Sequence, residues 1–216
     1  MNILILGATG AAGGSLFDLS LESNLVTRVK TVTRRPLAAG SGKHVGYIHA
    51  DFLDYGAVAE AFRELDACFF CIGRSIAQVR DEGEYRRLVL EYAVRAAQEL
   101  RARSPEAVFH YLSGQGAGRS SRHLWARVKG EAEELLLARF GAVCWRPGAI
   151  DAKRTEGWPP FYRMIMPLMR HFFPSRRYYV RGEDLARAML AVASTGARCR
   201  IIENREIRQI ADASRN

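Results

Sequence analysis

The chain opens on Met-Asn-Ile-Leu-Ile-Leu and then bends, with Gly7, Gly10 and Gly13 at intervals of three. Ile3 to Leu6 is uncharged and apolar, the pattern of a parallel strand buried on both faces. Leu16, Phe17 and Leu21 follow at roughly helical spacing. A strand, a tight glycine turn and a helix at once narrow the folds available. Gly7 lets the chain leave the strand sharply, Gly10 lets a pyrophosphate approach bare backbone, and Gly13 lets the helix close on the strand. The run Gly7-Ala8-Thr9-Gly10-Ala11-Ala12-Gly13 thus presents free amides and a helix dipole to an anion. A glycine triplet in isolation would be only a turn; this one directly follows a buried-type strand.

The alternation continues. Arg28 to Thr33, Val45 to Ala50 and Asp66 to Ile72 read as a second, third and fourth strand. Asp54 is placed to cap a helix over Tyr55 to Leu65. A long amphipathic helix is predicted over Glu82 to Arg103, with Tyr85, Leu88, Val89 and Tyr92 as a packing stripe and Ser104-Pro105 ending it. Ala107 to Leu112 and Ala142 to Trp145 add two strands around a helix over His123 to Arg139. Such alternation implies an α/β, Rossmann-like, doubly wound parallel sheet with helices on both faces. No linker divides residues 1–216, so a single nucleotide-binding domain is expected. After Asp151 the pattern loosens, and the aromatic- and Met-rich stretch from Trp158 to Phe173 suggests a small C-terminal substrate-pocket cap over 151–181. Tyr178 to Val180, Glu183 to Ala193 and Cys199 to Ile202 then read as strand, helix and strand.

Composition removes several classes of function. Hydrophobic residues make up 48% of the chain, so it can bury a core. No apolar run approaches the ~20 residues that span a bilayer, and the first strand begins at once, which leaves no room for a leader and points to the cytosol. The formal charge is +9, but the arginines are scattered and no nucleic-acid motif accompanies them. A solvated basic surface that gathers phosphorylated ligands is the simpler reading. Cys68 and Cys71 have C-x-x-C spacing within Ala-Cys-Phe-Phe-Cys-Ile. On a strand they point to opposite faces, and no second Cys/His pair completes a metal site. Buried small apolar residues are expected there.

The second strand ends in Arg34-Arg35-Pro36. In nucleotide folds this strand end faces the adenosine ribose, where an acidic residue would bind the 2′-hydroxyl of NAD. No acid is present. Arg34 and Arg35 can instead pair with a 2′-phosphate, which points to NADP(H). Ligands of such sheets lie beyond the strand carboxyl ends, so Cys71-Ile72-Gly73, at the end of the fourth strand, is expected to pass beside the cofactor.

The Gly-x-x-Gly-x-x-Gly spacing resembles the short-chain dehydrogenase/reductase superfamily, and Gly-Ala-Thr-Gly resembles its extended and atypical branches. Ser113-Gly-Gln-Gly-Ala, Ser120-Ser121, Val128-Lys129-Gly130-Glu131, Arg146-Pro147-Gly148 and Ile202-Glu203-Asn204 resemble more closely the Tat-interacting-protein oxidoreductases, an atypical branch, over nearly the whole chain. The resemblance implies NADP(H) binding, Ser113 and Lys129 at functional positions, Asp51 and Phe52 in the adenine-contacting turn, and Arg146, Pro147 and Gly148 near the cofactor. The superfamily uses a Ser, a Tyr and a Lys, the Tyr four residues before the Lys on one helix. Here that position holds Trp125. Indole donates one hydrogen bond and shuttles no proton at physiological pH. His123, Tyr111 or water would then have to supply a proton.

Two functions stay open. One is an NADP-dependent oxidoreductase transferring hydride between NADPH and a small carbonyl-type substrate. The other is a catalytically impaired NADPH-binding module whose bound cofactor shapes a surface for a protein partner. A homodimer is compatible with both.

Overall fold

The computed structural model describes residues 1–37, 41–74, 78–152 and 179–215. Seven strands form one parallel sheet: β1 (Asn2–Leu6), β2 (Arg28–Thr33), β3 (His44–Ile48), β4 (Ala67–Phe70), β5 (Val108–Leu112), β6 (Val143–Arg146) and, last in the chain, β9 (Arg200–Glu203). Their spatial order is β3-β2-β1-β4-β5-β6-β9. The order reverses at β1, whose neighbours are β2 and β4, so a crevice opens beyond its carboxyl end, where such sheets bind ligands. Two further strands, β7 (Ala149–Asp151) and β8 (Tyr179–Arg181), pair in parallel as a small second sheet.

Among the described residues six α-helices accompany the strands: α1 (Ala11–Glu22), α2 (Glu82–Arg86), α3 (Tyr92–Arg103), α4 (Leu124–Phe140), α5 (Gly182–Ser194) and α6 (Asn204–Ala213). Successive strand residues point to opposite faces, and the core divides accordingly. Leu4, Leu6, Cys68, Phe70, Phe109 and Tyr111 pack toward α2, α3 and α4. Ile3, Ile5, Phe69, Val143, Trp145 and Ile202 pack toward α1, α5 and α6. The cysteines follow the same rule: Cys68 belongs to the first layer and Cys71 packs on the second. Among the described residues no cluster of His, Cys, Asp and Glu could hold a metal, and no helix is long and apolar enough to cross a membrane.

The doubly wound α/β fold expected from the alternation is thus present, with differences of detail. β3 occupies 44–48 and not 45–50. The helix expected after Asp54 is a 3-10 helix over Gly56–Phe62, with Asp54 Oδ1 accepting from Gly56 N at 2.8 Å. The long helix expected over 82–103 is two α segments joined by a π turn, Arg87–Glu91. Helix α6 was not anticipated, although Asn204, Ile207 and Ala211 are buried at helical spacing. The cap expected at 151–181, including Trp158 to Phe173, lies largely outside the described residues.

Candidate nucleotide-binding site

The glycine turn has the geometry its spacing implies. Gly7 stands at φ +90°, and a Cβ there would lie 2.8 Å from the Cys71 carbonyl. Side chains other than hydrogen are therefore excluded twice, by conformation and by contact. A Cβ on Gly13 would fall 2.3 Å from Gly7 O, so helix and strand touch at backbone distance. Gly10 meets only Gly7 O, at 3.4 Å, and keeps its outer side open. It is also the N-cap of α1, and no side chain caps the helix start. The first amides of α1 thus have no intrahelical partners, an arrangement that suits an anion.

Beyond this turn lies a cavity of about 180 Å³. Gly7, Thr9 and Gly10 line it from the turn, and Val32, Thr33 and Arg34 from β2 and its end. Phe52 lies on its wall, and Cys71, Ile72, Gly73 and Arg74 border it after β4. Burial pushes the Cys71 thiol up to about 12, so the cavity wall there is a neutral, apolar sulfur. Ala50, Leu88 and Tyr92 complete the lining. Leu88 and Tyr92, expected as packing only, serve both core and cavity, and Leu88 lies in the π turn, a distortion that recurs at functional sites.

Other expected positions lie elsewhere. Ala8 and Gly13 are buried behind the turn, Ala12 faces the core, and Ala11 opens α1. Arg35 is exposed beside the cavity and not part of its lining. Asp51 is exposed as well, its carboxylate accepting from Leu53 N at 2.9 Å.

A second cluster forms at the carboxyl end of β5. Lys129 Nζ donates to Ser113 O at 2.6 Å and reaches Leu112 O at 3.4 Å. A methyl group on Gly114 would lie 3.5 Å from Trp125 Cζ3 and 3.9 Å from Lys129 Nζ. Ser113, Trp125 and Lys129 therefore converge on the start of the loop that follows β5. Ser113 Oγ is buried and has no hydrogen-bond partner among the described residues. Burial lowers the Lys129 ammonium to about 8, and the Glu133 carboxylate one helical turn on opposes that shift.

Of the two side chains suggested as proton donors, Tyr111 is withdrawn into the core and His123 lies at the surface. Tyr111 is fully buried and its hydroxyl donates to Val89 O at 3.1 Å; burial, above all, raises its pKa well above the usual phenol value. His110, its strand neighbour, stacks on Phe69 at 4.6 Å and accepts from Trp145 Nε1 at 3.2 Å, and burial lowers it to about 3. His123 is exposed at the N-cap of α4.

Arg146 also departs from expectation. Instead of facing the cavity, it grips buried Glu133 with two hydrogen bonds of 2.9 and 2.6 Å and Glu203 with a third of 2.8 Å. Its neighbours are equally engaged: Pro147 O accepts from Gln115 N and Gly148 N donates to Asn204 Oδ1. These residues tie the ends of β5, β6 and β9 together, with α4 attached through Glu133.

No protein-family model matches the chain. Among curated proteins it is similar to HTATIP2 of Rattus norvegicus, 30% identical over 220 residues that cover 95% of this chain and 87% of the rat protein. It is also similar to the mitochondrial protein fmp52 of Aspergillus clavatus, 30% identical over 168 residues, 73% of this chain and 70% of the fungal one. The fold matches that of WbmF from Bordetella bronchiseptica, solved in complex with NAD+, with a TM-score of 0.71 at 14% identity, covering 99% of this chain and 77% of that one. The cytosolic expectation is overturned here: several fungal relatives are named mitochondrial. The glycine turn, the reversal of strand order at β1 and similarity across nearly the full length agree: this chain belongs, with HTATIP2, to the Tat-interacting-protein branch of the atypical short-chain dehydrogenases/reductases.

Proposed function

We propose that the chain binds NADP(H) and is built to pass hydride between that cofactor and a small carbonyl-type substrate. One observation carries the cofactor choice. The cavity beside the glycine turn is lined at the end of β2 by Arg34 and, among the described residues, by no carboxylate. A guanidinium there favours a 2′-phosphate.

The residues present fit a dinucleotide. The uncapped start of α1 and the open side of Gly10 suit a pyrophosphate, and the cavity between Arg34, Phe52 and Tyr92 suits the adenosine end. Ser113 Oγ, buried and without a hydrogen-bond partner among the described residues, would donate to a substrate oxygen. Lys129, which donates to Ser113 O, would bind the second ribose. Bound NADPH would supply the hydride; the protein contributes position and a polarised oxygen. Trp125 supplies no proton, which is the specific observation favouring the non-catalytic alternative.

Titration with NADPH and NADH tests the cofactor. Arg34→Ala is expected to weaken NADPH about tenfold or more, the worth of a charged hydrogen bond, and to leave NADH nearly unchanged. Equal affinity of the native chain for both, or a preference that survives both Arg34→Ala and Arg35→Ala, would overturn the assignment.

Lys129 adds a pH dependence. Its ammonium is intact below about 8 in the free protein and is lost above it. An anionic ligand favours the charged form, so NADPH affinity is expected to fall as pH rises through about 8. Lys129→Arg should hold the charge and flatten that fall. A profile identical in both proteins would remove Lys129 from the site.

A further inference from the structure

We propose that Arg74 is the pyrophosphate-binding arm of this site, held ready by a weak pairing with Glu84 that the cofactor displaces. The proposal rests on the nucleotide reading above and extends it to a residue outside the glycine turn.

Arg34 and Arg74 border one cavity from opposite flanks of β1. Arg34 follows β2 and Arg74 follows β4, and both strands pair directly with β1. On the β4 side the approach is close: a Cβ on Gly7 would also meet Ile72 N at 2.9 Å. The chain thus leaves β4 with Cys71 and Ile72 against Gly7 of the glycine turn, and Gly73 and Arg74 continue along the border of the same cavity. Arg34, across the crevice, lies at the strand end that faces the adenosine ribose. The two guanidiniums are therefore divided between the two anionic parts of the dinucleotide, Arg34 to the ribose phosphate and Arg74 to the diphosphate.

The present partner of Arg74 is a poor one. Its Nη1 stands 3.9 Å from Glu84 Oε1, with the side chains 45% and 30% exposed. A pair so long and so well solvated contributes little. A diphosphate offers several oxygens, and guanidinium binds such groups through two parallel N–H donors. Glu84 does not need Arg74 to stay in place. Its Oε2 accepts from Arg80 N and its own amide donates to Asp81 Oδ1, both at 2.8 Å. The carboxylate is thus a fixed competitor, and the arginine is the member free to move.

The test compares NADPH, NADH and adenosine 2′-monophosphate, which has no pyrophosphate, on the full chain. Arg74→Met is expected to weaken NADPH and NADH alike, about tenfold, and to leave the monophosphate unchanged. Glu84→Gln removes the competitor and should tighten both dinucleotides. Arg74 is exposed, so the melting temperature should not change, which separates a binding loss from a folding loss. Unchanged dinucleotide affinities in Arg74→Met would overturn the proposal. So would a loss confined to NADPH and the monophosphate, which would make Arg74 a reader of the 2′-phosphate. If the native chain binds neither dinucleotide, the nucleotide reading falls first and this one with it; native binding with an inert Arg74→Met sinks only this one.

Discussion

Arg146→Leu is expected to cost about 3–5 kcal/mol of stability, because it strands the Glu133 carboxylate inside the protein. The Glu133 side chain is 2% exposed, and two hydrogen bonds from Arg146 satisfy it. Removing both charges is a different matter. The double variant Glu133→Leu, Arg146→Leu should recover most of the loss, since an ion pair in the interior often gains little over apolar side chains of similar volume. In urea, the single variant should unfold at a lower midpoint with an unchanged slope. Thermal unfolding should fall by roughly 10 °C, given a few degrees per kcal/mol for a domain of this size. The single variant should also disturb the site. Glu133 without its arginine would draw more strongly on the Lys129 cation, one helical turn away, so the loss of NADPH affinity should begin at a higher pH. A stability change below about 1 kcal/mol would show that Glu133 finds another partner or takes up a proton without strain.

The same cluster shows which parts of the molecule can be read from the sequence. The first strand and the glycine turn are local: their residues lie within thirteen positions and each constrains the next. Alternating strands and helices likewise repeat over short windows, so the doubly wound sheet follows. Arg34 and Gly73 are legible because strand ends in a parallel sheet share one edge. Arg146 is not, since its role is set by Glu133 on α4 and Glu203 on β9, elements that only the folded sheet brings together. Tyr111 reads as an available hydroxyl in sequence, yet strand parity turns it into the core against Val89 O. Leu88 and Tyr92 belong to an apolar stripe, and periodicity does not reveal that the edge of that stripe lines a cavity. Nor does it reveal the π turn over Arg87–Glu91, because i→i+5 bonding is set by how the helix packs and not by a residue pattern of its own. Arg74 follows the glycine of a strand end, a signal that was present but carries weight only once the cavity is known.

Trp125→Tyr is expected to raise carbonyl reduction by about 10²- to 10⁴-fold over the native chain, the usual contribution of a positioned general acid. Trp125 lies one helical turn before Lys129 on α4, and its ring packs beside Gly114 and Gly116. A phenol at that position would extend from the same face as the lysine. The Lys129 cation would stabilise phenolate and so lower the barrier to giving up the proton. Hydride would add to the carbonyl carbon as the phenol proton passes to its oxygen, and Ser113 Oγ would hold that oxygen through a hydrogen bond. The exchange also removes part of a half-buried indole, at a cost of roughly 1 kcal/mol or more in packing, so the variant should fold but melt lower. Two controls separate proton transfer from simple room in the pocket. Trp125→Phe creates similar space without a hydroxyl and should gain nothing. Lys129→Met on the Trp125→Tyr background should remove the gain while leaving the fold intact. The assay is NADPH oxidation with a panel of aldehydes, ketones and quinones. No native turnover with activity gained in Trp125→Tyr would favour the non-catalytic reading, because the scaffold would then be complete except for its acid. Native turnover that Trp125→Tyr fails to raise would instead show that water already delivers the proton, and that the indole is part of the substrate pocket.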